Sequence, residues 1–198
     1  METSSIPAAR QGYRRRCLSD IWLEVAVDFD RRAPVDIVTD LDAFSDALGQ
    51  LAEGGGFALR LHCECGPCAD TRLLVEDCAL ELGAALREAI GSATTGEPAY
   101  RTQRVEVPGA VVSLDFSGRP GATISVLPAK ELETGLPAGI VTAFFDSLAR
   151  ALNARIEVEV RSGVPQDAIV ASFTGVGRAL RAAGDARQPR PRKAVSRQ

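Results

Sequence analysis

Hydrophobic and polar positions follow their most regular pattern between Thr71 and Gly91. Apolar residues recur there at steps of three and four, the period of a helix with one buried face. These residues are Leu74, Val75, Cys78, Leu82, Ala85, Leu86, Ala89 and Ile90. Thr71 is a candidate cap and Gly91 a candidate stop. Glu76 and Asp77 are expected to place negative charge in the first turn. The pattern predicts one long amphipathic helix.

The residues before this helix predict two strands, a helix and a third strand. Residues 21–29 are rich in β-formers, and a turn over residues 30–34 leads into a short strand at residues 35–38. We expect these two strands to pair as a hairpin. Residues 42–52 have a helical pattern that ends at three glycines, and residues 57–65 alternate as a strand. The order is strand, strand, helix, strand, helix.

The second half of the chain repeats the first. Three pairs of similar blocks occur in the same order in both halves, which indicates one unit used twice. The pairs are VAVDF at 25–29 with VSLDF at 112–116; Phe44, Asp46 and Leu48 with Phe144, Asp146 and Leu148; and Gly83, Leu86 and Arg87 with Gly177, Leu180 and Arg181. Strands are predicted at residues 105–107, 111–116, 122–127 and 156–160, and helices at residues 138–153 and 169–184.

These elements predict an α+β fold with a duplicated strand-strand-helix-strand-helix unit. The helices of each half must bury an apolar stripe, so the simplest arrangement packs them between two outer sheets. Residues 20–91 form the first half and residues 104–184 the second, with a polar linker at residues 92–103. We expect residues 1–19 to be a solvated N-terminal arm and residues 185–198 a disordered basic tail.

Composition limits the classes of function. The chain has 198 residues, 45% of them hydrophobic, and a net charge of −3, which argues against nucleic-acid binding. No apolar run is long enough for a membrane span, and the first residues lack the apolar core of a signal peptide. Five cysteines, an odd number, fit a reducing compartment. We therefore expect a cytoplasmic protein without nucleic-acid or membrane partners.

Three stretches carry specific motifs: FSDALGQLAEGGGF at residues 44–57, RLLVEDCALELGAALREAIG at residues 72–91 and LDFSGRP at residues 114–120. They resemble imidazoleglycerol-phosphate dehydratase, the manganese lyase of histidine biosynthesis. The resemblance covers roughly residues 18–184. It implies a duplicated helix-sandwich fold, also described as ribosomal protein S5 domain 2-like, and assembly through trimers into a large homo-oligomer.

The sequence departs from this family where the resemblance implies the manganese ligands. The family has His-His-x-x-Glu at the start of the last helix of each half. Residues 72–76 read RLLVE and keep only Glu76, and residues 166–170 read QDAIV and keep none. The family's Asp-His-Met becomes residues 45–47, SDA, and the whole chain contains one histidine, His62. We expect that the manganese site and the parent dehydration are lost and that no cofactor replaces them.

Polar residues at the former site are the candidates for a new function. The candidate catalytic carboxylates are Glu76, Asp77 and Asp46, and the candidate substrate-binding residues are Arg119, Arg72, Gln166 and Asp167. Arg119 matches the family arginine that meets the substrate phosphate, although a surface arginine in a turn is an equal alternative. Arg72 and Glu76 are four residues apart, so they also fit an ordinary helix-surface ion pair.

The cysteines offer a fallback metal site. Cys63, Cys65 and Cys68 have a spacing that suits zinc if the intervening Gly-Pro turn brings the third thiol back to the strand. A redox or nucleophilic thiol and buried, incidental cysteines are the alternatives. Cys78 lies on the apolar stripe and is expected in the core.

Three functions remain open. The first is a repurposed, metal-independent lyase, isomerase or cyclase of specialised metabolism. The second is a pseudoenzyme that binds a small molecule or acts as a scaffold or regulator. The third is the parent dehydratase of histidine biosynthesis. A polar pocket with convergent Glu76, Arg119 and Asp46 would favour the enzyme, whereas a site filled by Leu73, Leu74 and Val170 would favour the scaffold.

Overall fold

The computed structural model describes residues 10–18, 21–66, 70–91, 102–116, 119–125, 135–161 and 164–186. The first half contains β1 (Gln11–Leu18), β2 (Ile21–Asp28), β3 (Val35–Val38), α1 (Asp42–Gly55), β4 (Ala58–Cys65) and α2 (Thr71–Ile90). The second half contains β5 (Thr102–Val107), β6 (Ala110–Asp115), β7 (Gly121–Ser125), α3 (Ala138–Leu152), β8 (Arg155–Val160) and α4 (Pro165–Ala186). Each half therefore has the same order of elements.

The two sheets have equivalent strand orders, β1-β2-β4-β3 and β5-β6-β8-β7. The central pair of each sheet is antiparallel, and the strand beyond it, β3 or β7, runs parallel to its neighbour. Alternate residues of the central strands, such as Val25, Leu61 and Val112, are fully buried and face the helices. The identical topology confirms the predicted duplication.

The four helices lie between the sheets and pair across the two halves. Helix α1 packs against α4 and helix α2 against α3. A cluster of phenylalanines fills the centre, where Phe144 contacts Phe44, Phe145 and Phe173 with ring centroids 5.0–5.5 Å apart. The predicted α+β sandwich is confirmed. Within the described ranges, no helix combines the length and the apolar composition needed to cross a membrane.

The predicted hairpin of β2 and β3 is wrong. Strand β4 lies between them, antiparallel to β2 and parallel to β3. A parallel neighbour needs a crossover, and α1 provides it in a β3-α1-β4 unit. The residues between β2 and β3 indicate where the chain turns, but they do not specify which strand it then joins.

The prediction of a solvated arm over residues 1–19 is wrong for its second part, which forms β1. This strand pairs with β2 along its full length, from Gln11 opposite Asp28 to Leu18 opposite Ile21. The sequence pattern did not predict this strand because its arginines pair with acidic residues of α2. Arg14 pairs with Glu88, and Arg16 lies 2.8 Å from Asp77. A polar edge strand carries no apolar alternation for a pattern to detect.

Smaller corrections concern helix ends. Asp70, rather than Thr71, caps α2 by accepting hydrogen bonds from the backbone N–H groups of Arg72 and Leu73. Glu76 and Asp77 consequently lie beyond the first turn. Helix α4 continues to Ala186, past the predicted boundary at residue 185. Residues 187–198 of the predicted tail and residues 92–101 of the predicted linker lie outside the described residues.

Two glycines allow the paired helices to touch through their backbones. A β-carbon on Gly177 of α4 would overlap the carbonyl oxygen of Leu51 in α1. A β-carbon on Gly83 of α2 would lie 2.6 Å from the Ala151 side chain and 3.0 Å from the Leu148 carbonyl oxygen in α3. The two contacts are equivalent in the duplicated halves, so a glycine at this position fixes both helix pairs.

Replacing Gly177 with alanine should destabilise the protein by about 2–3 kcal/mol, because the added methyl meets backbone that cannot move aside. Gly49→Ala is the matched control, since Gly49 lies within α1 with open space around its Cα. That change should stabilise the helix by about 0.5–1 kcal/mol. Urea unfolding followed by circular dichroism measures the change in the free energy of unfolding for each variant. Equal effects of the two variants would contradict the close helix contact.

Candidate functional site

A cleft of about 460 Å³ lies between α1 and the N-terminal part of α4. Helix α1 contributes Asp46, Gln50 and Glu53, and α4 contributes Gln166 and Val170. Apolar side chains that include Ile37, Ile169 and Leu136 form the remaining wall. We call this the α1–α4 cleft. Its size is within the range of small-molecule sites in proteins.

The amphipathic pattern of α1 positions the polar side of the cleft. Phe44, Ala47 and Leu48 are buried in the core, so the same helix turns Asp46 and Glu53 outward. Within the described part of the chain, neither carboxylate has a cationic partner within ion-pair distance. The start of α1 is anchored by the Thr39 and Ser45 hydroxyls, which are 2.8 Å apart and hydrogen-bonded.

A second cleft, of about 470 Å³, lies on the other side of the α4 start. Val107, Pro108 and Gly109 at the β5–β6 turn form one side, while Asp167 and Thr174 belong to α4. Val170 lines both clefts. The structure therefore separates the two predicted binding residues of α4: Gln166 faces the α1–α4 cleft and Asp167 faces the β5–β6 turn.

The start of α2 carries Glu76 and Asp77 in separate ion pairs. Glu76 accepts a 2.8 Å hydrogen bond from Arg72, whose side chain is 67% exposed. This contact raises the pKa of Arg72. Asp77 instead accepts a 2.8 Å hydrogen bond from Arg16 of β1. The ordinary ion pair considered for Arg72 and Glu76 is what the structure contains.

The predicted catalytic carboxylates do not converge within one subunit. Asp46 lines the α1–α4 cleft, whereas Glu76 and Asp77 line neither of the two clefts described above. Arg119 lies immediately before β7 with its side chain exposed. It is also outside both clefts, so a role for Arg119 in phosphate binding stays a prediction.

The apolar replacements at the helix starts do not fill a site within the subunit. Leu73 is 58% exposed and Val170 is 37% exposed, whereas Leu74 is buried at 3%. Of the three residues whose packing would have indicated a filled site, only Leu74 is packed. Positions 73 and 170, where the resemblance implies metal ligands, therefore lie at the surface of the chain.

The histidine donors that the resemblance implies for a manganese site are missing from the ligand positions, and of the implied ligands only Glu76 is kept. Position 170 holds a valine and position 72 an arginine, whose positive charge opposes a cation. His62, the one histidine, points away from the helices on β4, with its Nε2 atom 3.0 Å from Asp36. Among the residues that the structure describes, no group of three or more potential ligands could hold a metal ion. The residues present do not fit manganese.

The cysteines are used in other contacts. Cys63 and Cys78 are buried, with their thiols hydrogen-bonded to each other, and this bond together with burial raises the pKa of Cys78. The Cys65 thiol donates a 2.7 Å hydrogen bond to Asp40, which together with burial raises its pKa to about 11. Cys68 lies outside the described residues. The predicted core position of Cys78 is confirmed, and Cys65 is poorly suited to act as a nucleophile.

Sequence reasoning missed Gln50 and Glu53 as residues of the cleft. Glu53 follows Asp46 by seven residues, two helical turns, and so lies on the same face of α1. That spacing is visible in the sequence. However, only the structure shows that this face borders α4 rather than open solvent.

Two sheets of equivalent strand order that enclose four cross-paired helices define a class of duplicated α+β sandwich proteins. Within that class, the sequence profile of imidazoleglycerol-phosphate dehydratase matches residues 39–180. The chain belongs to this family. The crystal structure of the family's Pyrococcus furiosus enzyme in complex with (S)-C348 is similar at a TM-score of 0.71 and 27% identity, covering 85% of this chain and 92% of that one.

Curated relatives are longer proteins. The histidine biosynthesis bifunctional protein HisB of Stenotrophomonas maltophilia (strain K279a) is 34% identical over 155 residues, which cover 78% of this chain and 43% of the relative. The HisB of Legionella pneumophila (strain Philadelphia 1) is 34% identical over 140 residues, which cover 71% of this chain and 39% of that relative. The chain thus spans less than half the length of these relatives.

Asp40→Asn should increase the reactivity of Cys65, because removing the carboxylate charge lowers the thiol pKa from about 11 towards its ordinary range. At about pH 8 the rate of alkylation by iodoacetamide should rise roughly tenfold for each unit by which the pKa falls, because the thiolate fraction rises by that factor. Peptide mass spectrometry over time measures this rate. Cys17, which is exposed on β1, is the internal control and should react at an unchanged rate. An unchanged rate at Cys65 would contradict the assigned hydrogen bond.

Proposed function

We propose that this protein is a pseudoenzyme of the dehydratase family that has lost manganese-dependent dehydration and binds a small molecule in the α1–α4 cleft. One observation carries the proposal. Three positions where the resemblance implies metal ligands, 46, 166 and 170, come together in this cleft as Asp46, Gln166 and Val170. The location of the ancestral site is kept while its donors are replaced.

The replacements support binding without the parent chemistry. A carboxylate, an amide and an isopropyl group supply too few donors of the right kind for a manganese ion. Asp46 and Gln166 retain hydrogen-bonding capacity, and Ile37, Ile169 and Leu136 offer apolar surface. A mixed lining of this kind suits recognition of a small organic molecule.

A metal-independent lyase, isomerase or cyclase is the second candidate. It is favoured by the exposure of Leu73, an apolar residue beside the Arg72–Glu76 pair at the start of α2. We propose that this exposed leucine contacts another subunit. We propose a homo-oligomer built from trimers, in which Glu76 of one subunit would approach the cleft of another. Acid–base catalysis would then depend on assembly.

Removal of divalent metals should leave the fold and the assembly intact. Prolonged dialysis against EDTA is expected to change the unfolding temperature by less than about 1 °C, because no metal contributes binding energy to the folded state. Elemental mass spectrometry, light scattering and thermal unfolding on untagged protein make the measurement, with manganese-supplemented protein as the comparison. Dissociation, unfolding or stoichiometric manganese would reject the proposed loss of the metal site.

Leu73→Glu should shift the protein towards smaller species. Burying the leucine in an interface is worth about 1.5–3 kcal/mol, and a carboxylate placed there would instead require desolvation. Light scattering at several protein concentrations measures the mass. Leu73→Met keeps the apolar character and should assemble like the unmodified chain. If the glutamate variant keeps the parent mass, the α2 start is not an interface.

A further inference from the structure

We infer that Cys63 and Cys78 form a redox site, in which a hydroperoxide joins the two thiols as a reversible disulfide. The inference is independent of the proposed function, because neither residue lines the α1–α4 cleft. The observations that carry it are the direct contact of the two thiols, their burial on two packed elements, and the different contact that the neighbouring Cys65 makes.

The fold brings the two thiols together from separate elements. Cys63 lies on the face of β4 that packs against the helices, and Cys78 lies on the buried face of α2. Their exposed fractions are 1% and 0%. The Cys78 thiol donates a hydrogen bond to the Cys63 sulfur. Two sulfur atoms in such contact need only a short approach to reach the disulfide bond length of about 2.05 Å.

The direction of this hydrogen bond assigns a different role to each thiol. Because Cys78 donates it, negative charge on the Cys63 sulfur is stabilised, and the contact lowers the pKa of Cys63 although burial opposes this. The same contact and burial raise the pKa of Cys78. Cys63 is therefore the thiol that ionises first and acts as the nucleophile. Cys78 acts as the resolving thiol because it already touches the Cys63 sulfur.

The reaction with a hydroperoxide balances without a further reactant. The Cys63 thiolate attacks the terminal peroxide oxygen, so that an S–O bond forms, the O–O bond breaks, and the alcohol leaves with the proton that Cys63 released. The Cys78 sulfur then attacks the Cys63 sulfenic acid. The S–S bond forms, the S–O bond breaks, and hydroxide leaves as water with the Cys78 proton. Two sulfur atoms lose two electrons, and the peroxide is reduced to an alcohol and water. A dithiol reductant restores both thiols by exchange and becomes a disulfide itself.

The other described cysteines have different surroundings. Cys65 directs its hydrogen bond to Asp40, and Cys17 is exposed on β1. Because Cys63 and Cys78 are buried, a peroxide reaches them only when the start of α2 opens locally. Their oxidation should therefore be slower than that of Cys17. It should accelerate in urea at concentrations below the unfolding transition, where local opening is more frequent.

Oxidation of the intact, untagged protein with hydrogen peroxide tests this inference. After quenching, the protein is alkylated in denaturant, digested with trypsin and analysed by mass spectrometry. Cys78 then lies on the peptide of residues 73–87, and Cys63 lies on residues 61–72 together with Cys65 and Cys68. The expected product joins these two peptides with the loss of two hydrogen atoms. It should require peroxide and disappear on treatment with dithiothreitol.

Cys65→Ser and Cys68→Ser are the matched controls, because each removes a neighbouring thiol from the same peptide and should leave the crosslink in place. Cys63→Ala and Cys78→Ala should each abolish it. The disulfide closes a loop of about 15 residues and so restricts the unfolded chain. The oxidised Cys65→Ser protein should therefore unfold about 6–12 °C above its reduced form.

Recovery of Cys63 and Cys78 as free thiols, under conditions that fully oxidise Cys17, would overturn the inference. A crosslink that disappears in Cys65→Ser or Cys68→Ser would also overturn it, since the bond would then belong to a different pair. Oxidation of Cys63 that stops at the sulfinic acid would show that Cys78 does not resolve it. The peptide map of the unmodified chain decides the first and last of these outcomes even if the alanine variants fail to fold.

Discussion

The close contact of helix backbones at Gly83 and Gly177 is the constraint on which the structure depends. Each glycine lets a helix of one half lie directly against a helix of the other, so the halves share one core instead of stacking as separate units. The α1–α4 cleft lies beside this helix pair and is lined by Asp46, Gln50 and Glu53 of α1 and by Gln166, Ile169 and Val170 of α4.

The other end of the α1–α4 pair is closed by polar contacts. Arg181 of α4 donates hydrogen bonds to the carbonyl oxygens of Gly55, Gly56 and Phe29, and its guanidinium lies 5.1 Å from the centre of the Phe29 ring. The bonds to Gly55 and Gly56 satisfy carbonyl groups that the end of α1 would otherwise leave without partners. Arg181 thus connects the C-terminal end of α1 to α4, and Glu53 lies between these contacts and the rest of the cleft lining.

Most of the fold was predictable because it depends on local periodicity and on repetition. The strand Val35–Val38 and the helix Thr71–Ile90 follow from patterns within their own residues. Strand β1 was missed because Arg14 and Arg16 are neutralised only by acids distant in sequence. The contacts of the candidate site residues were harder to predict for the same reason. Asp77 accepts a hydrogen bond from Arg16 of β1, and the Cys65 thiol donates one to Asp40. Such pairings become visible only when the elements are packed.

The packing also explains how the site could change while the fold persisted. Core positions such as Leu48 and Phe173 are fully buried, so substitutions there carry large penalties in packing and cavity energy. The former ligand positions lie at helix starts, where Leu73 and Val170 remain accessible in the subunit. Exchanging a histidine or glutamate for another side chain at these positions removes no core contact. Under the proposed loss of manganese binding, charge and polarity at these positions could therefore be reset without disturbing the core.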